Sequence, residues 1–183
     1  MRARAVAPLL ALACLLGLLS SSIFPGPALS GPSPYPLPRG EGDRLAGMVV
    51  RVVDGDTVHV RVGDRVEKVR YIGIDTPETH HPTRGEEPGG RAATAVNGRL
   101  VGDRAVRLEP DVQLRDRHGR LLAYVWVSRP DGGELMVNAE LVRLGYAQVM
   151  TVPPNVRHVE LFRKLAIEAR ENHRGLWAVP PAR

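Results

Sequence analysis

The chain has 183 residues, of which 43% are hydrophobic and 25% are charged, and its formal net charge is +5. This composition is typical of a soluble protein with a hydrophobic core, and the length allows one domain with additional segments. The charge excess is too small to identify a nucleic-acid-binding protein, because many unrelated proteins share it. The only cysteine is Cys14, which excludes an intramolecular disulfide, so stability has to come from packing and from any bound metal.

The N-terminus has the order of a secretory signal peptide. Two arginines within the first four residues precede an apolar run over residues 5–19, and residues 28–30 (Ala-Leu-Ser) fit the small-x-small pattern of a cleavage site before Gly31. We therefore expect residues 1–30 to be removed and the protein to be secreted. The alternative is an uncleaved anchor that keeps the protein at the cell envelope, although the apolar run is shorter than the roughly 20 residues that span a bilayer.

The remaining chain is predicted to hold one folded domain. Residues 31–45 are rich in Pro and Gly and are interpreted as a linker without a core. Residues 46–178 form the predicted domain, and residues 179–183 form a short C-terminal tail. We find no internal repeat, and we expect a monomer.

Alternation of apolar and polar residues, which is typical of half-buried strands, dominates the first half of the domain. The turn sequence Gly63-Asp64 connects two such segments, which predicts a hairpin. The predicted strands are residues 47–53, 58–62, 66–74, 104–109 and 121–128.

Three segments show the spacing of amphipathic helices instead. The first carries Ala92, Val96 and Leu100, and the second carries Val137, Leu141 and Leu144 before Gly145. The third is predicted to begin near Asn155 as a cap, to bury Phe162, Leu165 and Ala169, and to close at Gly175. Five strands with three helices predict an α+β fold, mainly a β barrel, and a small closed OB-fold barrel suits this layout because closure removes exposed sheet edges.

Two acidic motifs lie at predicted strand ends. Residues 54–57 (Asp-Gly-Asp-Thr) have the composition of an ordinary turn, and they lack the ligand series of an EF-hand loop. Asp75 and Glu78 follow the strand that contains Arg70, so they would project from a rigid element. A partly buried Arg70 needs an anion beside it, which could be an internal carboxylate or a ligand.

A third motif is the charged segment Asp116-Arg117-His118-Gly119-Arg120. It can be a hairpin turn, or it can place the planar fork of Arg120 at a strand start for bidentate contact with phosphate. Together the three motifs supply what phosphodiester hydrolysis needs. These groups are oxygen ligands for a hard cation, a carboxylate that accepts a proton from water, and guanidinium groups that stabilise the charge on phosphorus.

These motifs resemble the signatures of the staphylococcal nuclease (thermonuclease) family in order and spacing. The resemblance is carried by residues 53–57, 70–78 and 116–124, and residues 136–145 resemble the second helix of that family. The likeness runs from about residue 47 to residue 177. It implies an OB-type barrel with three helices that binds one Ca²⁺ ion beside a phosphodiester.

The resemblance also implies roles for individual residues. Asp56 and Asp75 would bind Ca²⁺ through their carboxylates, and Thr76 would bind it through its backbone carbonyl. The catalytic residues would be Glu78 as general base, with Arg70 and Arg120 gripping the phosphate. Family members cleave the 5′ P–O bond of DNA and RNA and leave 3′-phosphates with little sequence preference, as expected for contacts to the backbone.

The sequence departs from the family pattern at two places. His118 stands where the family often has a tyrosine, and residues 150–155 lack the tyrosines often found before the third helix. Because a stacked base is worth roughly 1–3 kcal/mol, these changes affect nucleotide binding rather than the metal and phosphate groups. His118 is retained as a candidate substrate-binding residue. His80-His81 has no spaced partners that would complete a zinc site.

Two other functions are alternatives to a secreted nuclease. A nuclease-like barrel could bind nucleic acid or protein without cutting, but degenerate sites of this kind usually lose carboxylates or arginines. An envelope-associated interaction protein could be tethered by an uncleaved N-terminus. The N-terminal residue of the mature protein distinguishes release from tethering.

Overall fold

The structure is a computed structural model, and it describes residues 44–79 and 85–178. The predicted signal peptide, nearly all of the linker, the tail over residues 179–183 and the histidine pair lie outside these residues. The strands are β1 (Leu45–Val52), β2 (Thr57–Val62), β3 (Arg65–Tyr71), β4 (Ile74–Asp75), β5 (Ala105–Glu109), β6 (Leu121–Ser128), β7 (Glu134–Met136) and β8 (Gln148–Val149). The helices are α1 (Gly90–Val101), α2 (Val137–Arg143), α3 (Val159–Glu171) and a 3-10 turn (Gly175–Trp177).

Five of the strands close into a barrel. The sheet runs in the order β3-β2-β1-β5-β6 with antiparallel neighbours, and β7 extends it beyond β6. A parallel pairing of β3 with β6, in which Val69 faces Leu121, joins the two ends of the barrel. The predicted α+β fold with a five-stranded OB-type barrel and three helices is therefore confirmed.

The barrel core follows from the period-two pattern of its strands. Val58 and Val60 of β2 are completely buried, whereas Arg61, which follows Val60, is exposed. Strand β6 contributes two of the three largest fully buried side chains, Trp126 and Tyr124, and β3 contributes the other, Tyr71. Burial of each large apolar side chain stabilises the fold by about 1.5–3 kcal/mol, so the interior of the barrel is its main source of stability.

The helices pack outside the barrel near one end. In α1 the buried positions include Ala93, Val96 and Leu100. The predicted position Ala92 is wrong, because Ala92 is exposed and its neighbour Ala93 is buried instead. Helix α2 packs against α3, and α3 buries the three predicted residues Phe162, Leu165 and Ala169. Among residues 44–79 and 85–178, none of the helices has the length and apolarity that crossing a membrane requires.

The predicted strand over residues 66–74 is wrong at its C-terminal end. Strand β3 ends at Tyr71, and Gly73 has a φ of +80°, a backbone conformation that favours glycine. A Cβ at Gly73 would lie 2.5 Å from the ring of Phe162, so the chain approaches α3 closely here. The break turns Ile74 and Asp75 away from the barrel to pair with β8.

The predicted boundaries of the third helix are also wrong. Helix α3 begins at Val159 after His158, three residues later than the Asn155 cap would place it, and it ends at Glu171. Gly175 begins the following 3-10 turn instead of closing α3. The side chain of Asn155 bonds to the main chain of Gln113, which explains why it caps no helix.

Candidate active site

Arg70 is the centre of an ion-pair cluster on the outer side of β3. Its Nη1 lies 2.7 Å from Asp56 Oδ2, and its Nη2 lies 2.7 Å from Asp75 Oδ1. Nη1 also donates a hydrogen bond of 3.0 Å to the carbonyl of Ile74. The break at Gly73 makes this possible, because it turns the chain so that Asp75 of β4 lies beside Arg70 of β3. A partly buried arginine requires an anion beside it, and Arg70 has two internal carboxylate partners, Asp56 and Asp75.

Asp56 is held at the end of the turn between β1 and β2. Its side chain is nearly buried, and Oδ2 accepts hydrogen bonds from the backbone N–H of Thr76 at 2.9 Å and from the Thr76 hydroxyl at 3.1 Å. A Cβ at Gly55 would lie 2.6 Å from that hydroxyl, so glycine is needed for the turn to approach Thr76. The turn predicted from the sequence therefore also carries a carboxylate of the cluster.

The cluster contains more negative than positive charge. Burial first, together with the charges of Asp54 and Asp75, raises the pKa of Asp56 to about 7, although Arg70 and the Thr76 N–H lower it. A single guanidinium therefore does not fully compensate these carboxylates. A bound cation would favour the ionised form of Asp56.

Glu78 lies after the acidic cluster, with an exposed side chain. Its backbone N–H donates to Glu87 Oε2 at 3.1 Å, and its carbonyl accepts from the Glu87 N–H at 2.9 Å. Burial first, and then the negative charge of Asp54, raise the pKa of Glu78, whereas Arg70 lowers it. A raised pKa makes a carboxylate a better proton acceptor near neutral pH.

Arg120 is oriented by the turn that precedes β6. Asp116 Oδ1 accepts the backbone N–H groups of His118 at 2.9 Å and of Arg120 at 3.0 Å, and its Oδ2 lies 2.6 Å from Arg120 Nε. These bonds lower the pKa of Asp116 against the effect of its burial. Asp116 therefore stays ionised and fixes the guanidinium by one edge. The segment is therefore a charged turn, and the same turn holds the side chain of Arg120 in place.

Arg70, His118 and Arg120 line one open cleft of about 550 Å³. Asp56, Asp75 and Thr76 are grouped around Arg70 at one side of it, as the bonds above describe. The predicted site residues thus come from the turn before β2, from β3, from β4 and the segment that follows it, and from the turn before β6. Further lining residues, which the sequence patterns did not single out as site residues, are Gln113, Met150, Val152 and Asn155.

The donor groups beside Arg70 fit a hard divalent cation. All of them are oxygens, and the raised pKa of Asp56 shows that the buried carboxylate lacks full compensation. Within residues 44–79 and 85–178, three or more His, Cys, Asp or Glu side chains do not converge as a metal cluster. Two carboxylates, Asp56 and Asp75, are instead bridged by the guanidinium of Arg70.

Comparison with known proteins places the chain in a family. The sequence profile described as "Staphylococcal nuclease homologue" matches residues 68–179. The thermonuclease of Staphylococcus intermedius is 37% identical over 130 residues, which cover 71% of this chain and 74% of that protein. The chain belongs to the staphylococcal nuclease family.

Other relatives of the nuclease family agree with this assignment. The thermonuclease of Staphylococcus hyicus is 36% identical over 130 residues, or 71% of this chain and 74% of that protein. The SPbeta prophage-derived endonuclease YokF of Bacillus subtilis is 37% identical over 129 residues, or 70% of this chain and 42% of that protein. The resemblance drawn from the motifs is confirmed, and these relatives support a nuclease of the staphylococcal nuclease family.

Proposed function

We propose that the protein is a secreted, Ca²⁺-dependent nuclease that hydrolyses phosphodiester bonds of DNA and RNA at the 5′ P–O bond and leaves 3′-phosphates. The observation that carries the proposal is the position of Arg70 and Arg120 on one cleft, with a surplus of carboxylates beside Arg70. Two guanidinium groups that face one cleft, one from β3 and one from the turn before β6, can hold one phosphate. The names of the relatives support nucleic acid as substrate.

The carboxylates of Asp56 and Asp75 and the carbonyl of Thr76 would hold one Ca²⁺ ion, which supplies charge neutralisation at the phosphate. Glu78 accepts a proton from the attacking water, whose oxygen forms the new bond to phosphorus. The bond from phosphorus to the 5′ oxygen breaks, and that oxygen leaves with its electron pair and takes a proton from solvent. Arg70 and Arg120 stabilise the additional negative charge on the phosphoryl oxygens.

The test is digestion of denatured DNA and of RNA by the purified protein, in Ca²⁺ and in parallel in EGTA. We expect cutting only in Ca²⁺, with products that carry 3′-phosphates. Glu78→Gln should lower kcat about 10²–10⁴-fold, as expected for loss of a general base. Arg70→Ala and Arg120→Ala should lower it about 10²–10³-fold, as for loss of a preorganised charge.

Two exposed positions provide matched controls. Glu171→Gln at the end of α3 and Arg99→Ala in α1 remove the same groups away from the cleft and should cut normally. Normal cutting by Glu78→Gln, Arg70→Ala and Arg120→Ala would show that the site assignment is wrong. A folded protein that binds Ca²⁺ and DNA but cuts neither substrate would be a binding module. Sequencing the N-terminus of exported protein tests secretion, and Gly31 is the expected first residue.

A further inference from the structure

Three basic side chains form a row across the outer face of β1, β2 and β3. Arg51 of β1 is directly paired with His59 of β2, and His59 is directly paired with Lys68 of β3. Directly paired residues place their Cβ atoms about 4.5–5.5 Å apart on the same face of a sheet. Arg51 and Lys68 are exposed. We call Arg51, His59 and Lys68 the basic row.

The basic row points away from the barrel core. The residues that alternate with it along β2 and β3, among them Val58 and Val69, are completely buried. Since successive side chains of a strand point to opposite faces, the basic row lies on the solvent side. It is therefore available to a ligand.

The basic row carries positive charge that no carboxylate pairs with in the described part of the chain. Over residues 44–79 and 85–178, neither Arg51 nor Lys68 forms a salt bridge with a carboxylate. Burial first, and then the positive charges of Arg51 and Lys68, lower the pKa of His59, which places both charges close to its imidazole. The lowered pKa favours the neutral imidazole, so the charge of the row comes from Arg51 and Lys68 on either side of His59. An anion bound across the row would pair with both of these charges.

The basic row continues directly from the candidate active site. Lys68 is two residues before Arg70 on β3, so both side chains leave the same face of the strand about 6–7 Å apart. The next cross-strand pair on the same face of the sheet is Thr57 with Arg70, and Thr57 directly follows Asp56. A polynucleotide whose phosphate is held at Arg70 therefore has its neighbouring phosphates within reach of Lys68.

We propose that the basic row binds the phosphodiester backbone of the substrate strand next to the bond that is cleaved. This inference rests on the proposed function, and it adds that an extended single strand of DNA or RNA crosses the outer face of β3, β2 and β1. Contacts from Arg, Lys and His side chains to phosphate carry no base preference. The row therefore increases affinity for long substrates and leaves the chemistry at the cleaved bond unchanged.

The experiment compares substrate lengths in the complete protein. Lys68→Gln, Arg51→Gln and the double variant are assayed in Ca²⁺ on a long single-stranded oligonucleotide and on a dinucleotide. For the oligonucleotide we expect KM to rise several-fold in each single variant and further in the double variant, with kcat unchanged. The dependence of log K on log salt should lose about one unit of slope for each phosphate contact removed. Kinetics on the dinucleotide should equal those of the wild type.

Lys164 supplies the matched control, because it is the chain's only other lysine and is exposed on α3. Lys164→Gln should leave KM and salt slope unchanged on both substrates. An unchanged KM for the oligonucleotide in the folded double variant would overturn the proposal. An equal rise in KM on the dinucleotide would also overturn it, because the row would then act through the site itself.

Binding measured without cleavage separates this inference from the proposed function. The anisotropy of a fluorescent oligonucleotide is titrated with each protein in EGTA, where no cutting is expected. If the wild type binds and the double variant binds several-fold more weakly, the row binds nucleic acid whether or not the wild type proves to cut. If both bind equally, the row has no such role even in an active nuclease.

Discussion

The side-chain amide of Asn155 holds the main chain of Gln113 at two points. Asn155 Oδ1 accepts the Gln113 N–H at 2.7 Å, and Asn155 Nδ2 donates to the Gln113 carbonyl at 2.9 Å. Asn155 is only 5% exposed, and both residues line the cleft that contains Arg70 and Arg120. This buried bridge ties the segment before α3 to the loop that leads into the Asp116 turn.

Asn155→Ala removes both hydrogen bonds and leaves the Gln113 N–H and carbonyl unpaired. We expect a loss of about 1–3 kcal/mol in the free energy of unfolding, because two hydrogen bonds worth about 0.5–1.5 kcal/mol each are removed. The cleft wall would also lose its fixed position, so KM for denatured DNA should rise several-fold while kcat changes less. Urea unfolding and steady-state kinetics measure the two effects. Asn172→Ala, at the exposed end of α3, is the control, and an unchanged KM would show that the bridge does not shape the cleft.

The second prediction concerns Asp116 as a positioning residue for Arg120. Asp116→Asn keeps an oxygen that can accept the backbone N–H groups of the turn, but it removes the charged partner of Arg120 Nε at 2.6 Å. We expect kcat to fall about tenfold, less than the roughly 10²–10³-fold expected when a preorganised charge is deleted. The KM should change little if the turn remains folded.

Asp103→Asn provides the matched control for this substitution. Asp103 is exposed after α1 and has a φ of +52°, which asparagine tolerates well. Equal kcat values for Asp116→Asn and the wild type would show that the turn holds Arg120 without this carboxylate.

Local patterns were sufficient to predict most of the barrel. Alternating burial along β2 follows directly from alternating valines, and the observed β6 has the predicted bounds Leu121–Ser128. The family resemblance identified the residues that meet around Arg70, because it carries information about contacts that no single motif contains. Charge patterns alone could not distinguish a turn from a site, and the Asp116 segment forms a turn that also holds Arg120 at the cleft.

The failures arise where tertiary contacts override local preference. The apolar alternation through Ile74 predicts a continuous strand, but Gly73 packs against Phe162 of α3 and breaks it. Asn155 has the chemistry of a helix cap, yet its side chain is occupied by Gln113, which is distant in sequence. Neither Phe162 nor Gln113 could be predicted as a partner from the residues adjacent to Gly73 or Asn155 in the sequence.

The third prediction concerns stability in acid and depends on Glu109. Glu109 is 2% exposed and contacts Arg157 at 2.7 Å and Arg44 at 3.3 Å. Burial alone would raise its pKa, but the nearby His158, the hydrogen bond from Arg157 and the charge of Arg44 lower it to about 2, against an ordinary value of 4.5. A lowered carboxylate pKa stabilises the fold above pH 4.5, and the contribution is lost as pH falls from 4.5 through 2.

Glu109→Gln should therefore reduce the free energy of unfolding at neutral pH by about 3 kcal/mol, from the size of the pKa shift. The difference from the wild type should shrink as the pH is lowered from 4.5 toward 2. Urea unfolding at a series of pH values measures this difference. Glu171→Gln, which alters an exposed carboxylate, should show no such dependence. A difference that stays constant across the series would exclude Glu109 as an acid-sensitive group.

The last prediction concerns His118, which lines the cleft and departs from the family pattern described in the sequence analysis. Its backbone N–H is fixed by Asp116, and its side chain is exposed with Nε2 accepting from Arg117 Nε at 3.0 Å. His118→Tyr places a larger aromatic ring on the same fixed turn. Since stacking of a base on an aromatic ring is worth roughly 1–3 kcal/mol, binding of single-stranded DNA should tighten about fivefold or more.

Affinity is measured by fluorescence anisotropy in Ca²⁺, in proteins that also carry Glu78→Gln so that the oligonucleotide stays intact. His118→Leu in the same background is the control, because leucine supplies apolar area without a ring. Tighter binding by tyrosine alone would identify stacking as the missing interaction. If tyrosine and leucine bind as weakly as histidine, the turn does not contact a base, and substrate affinity depends on phosphate contacts from Arg70, Arg120 and the basic row.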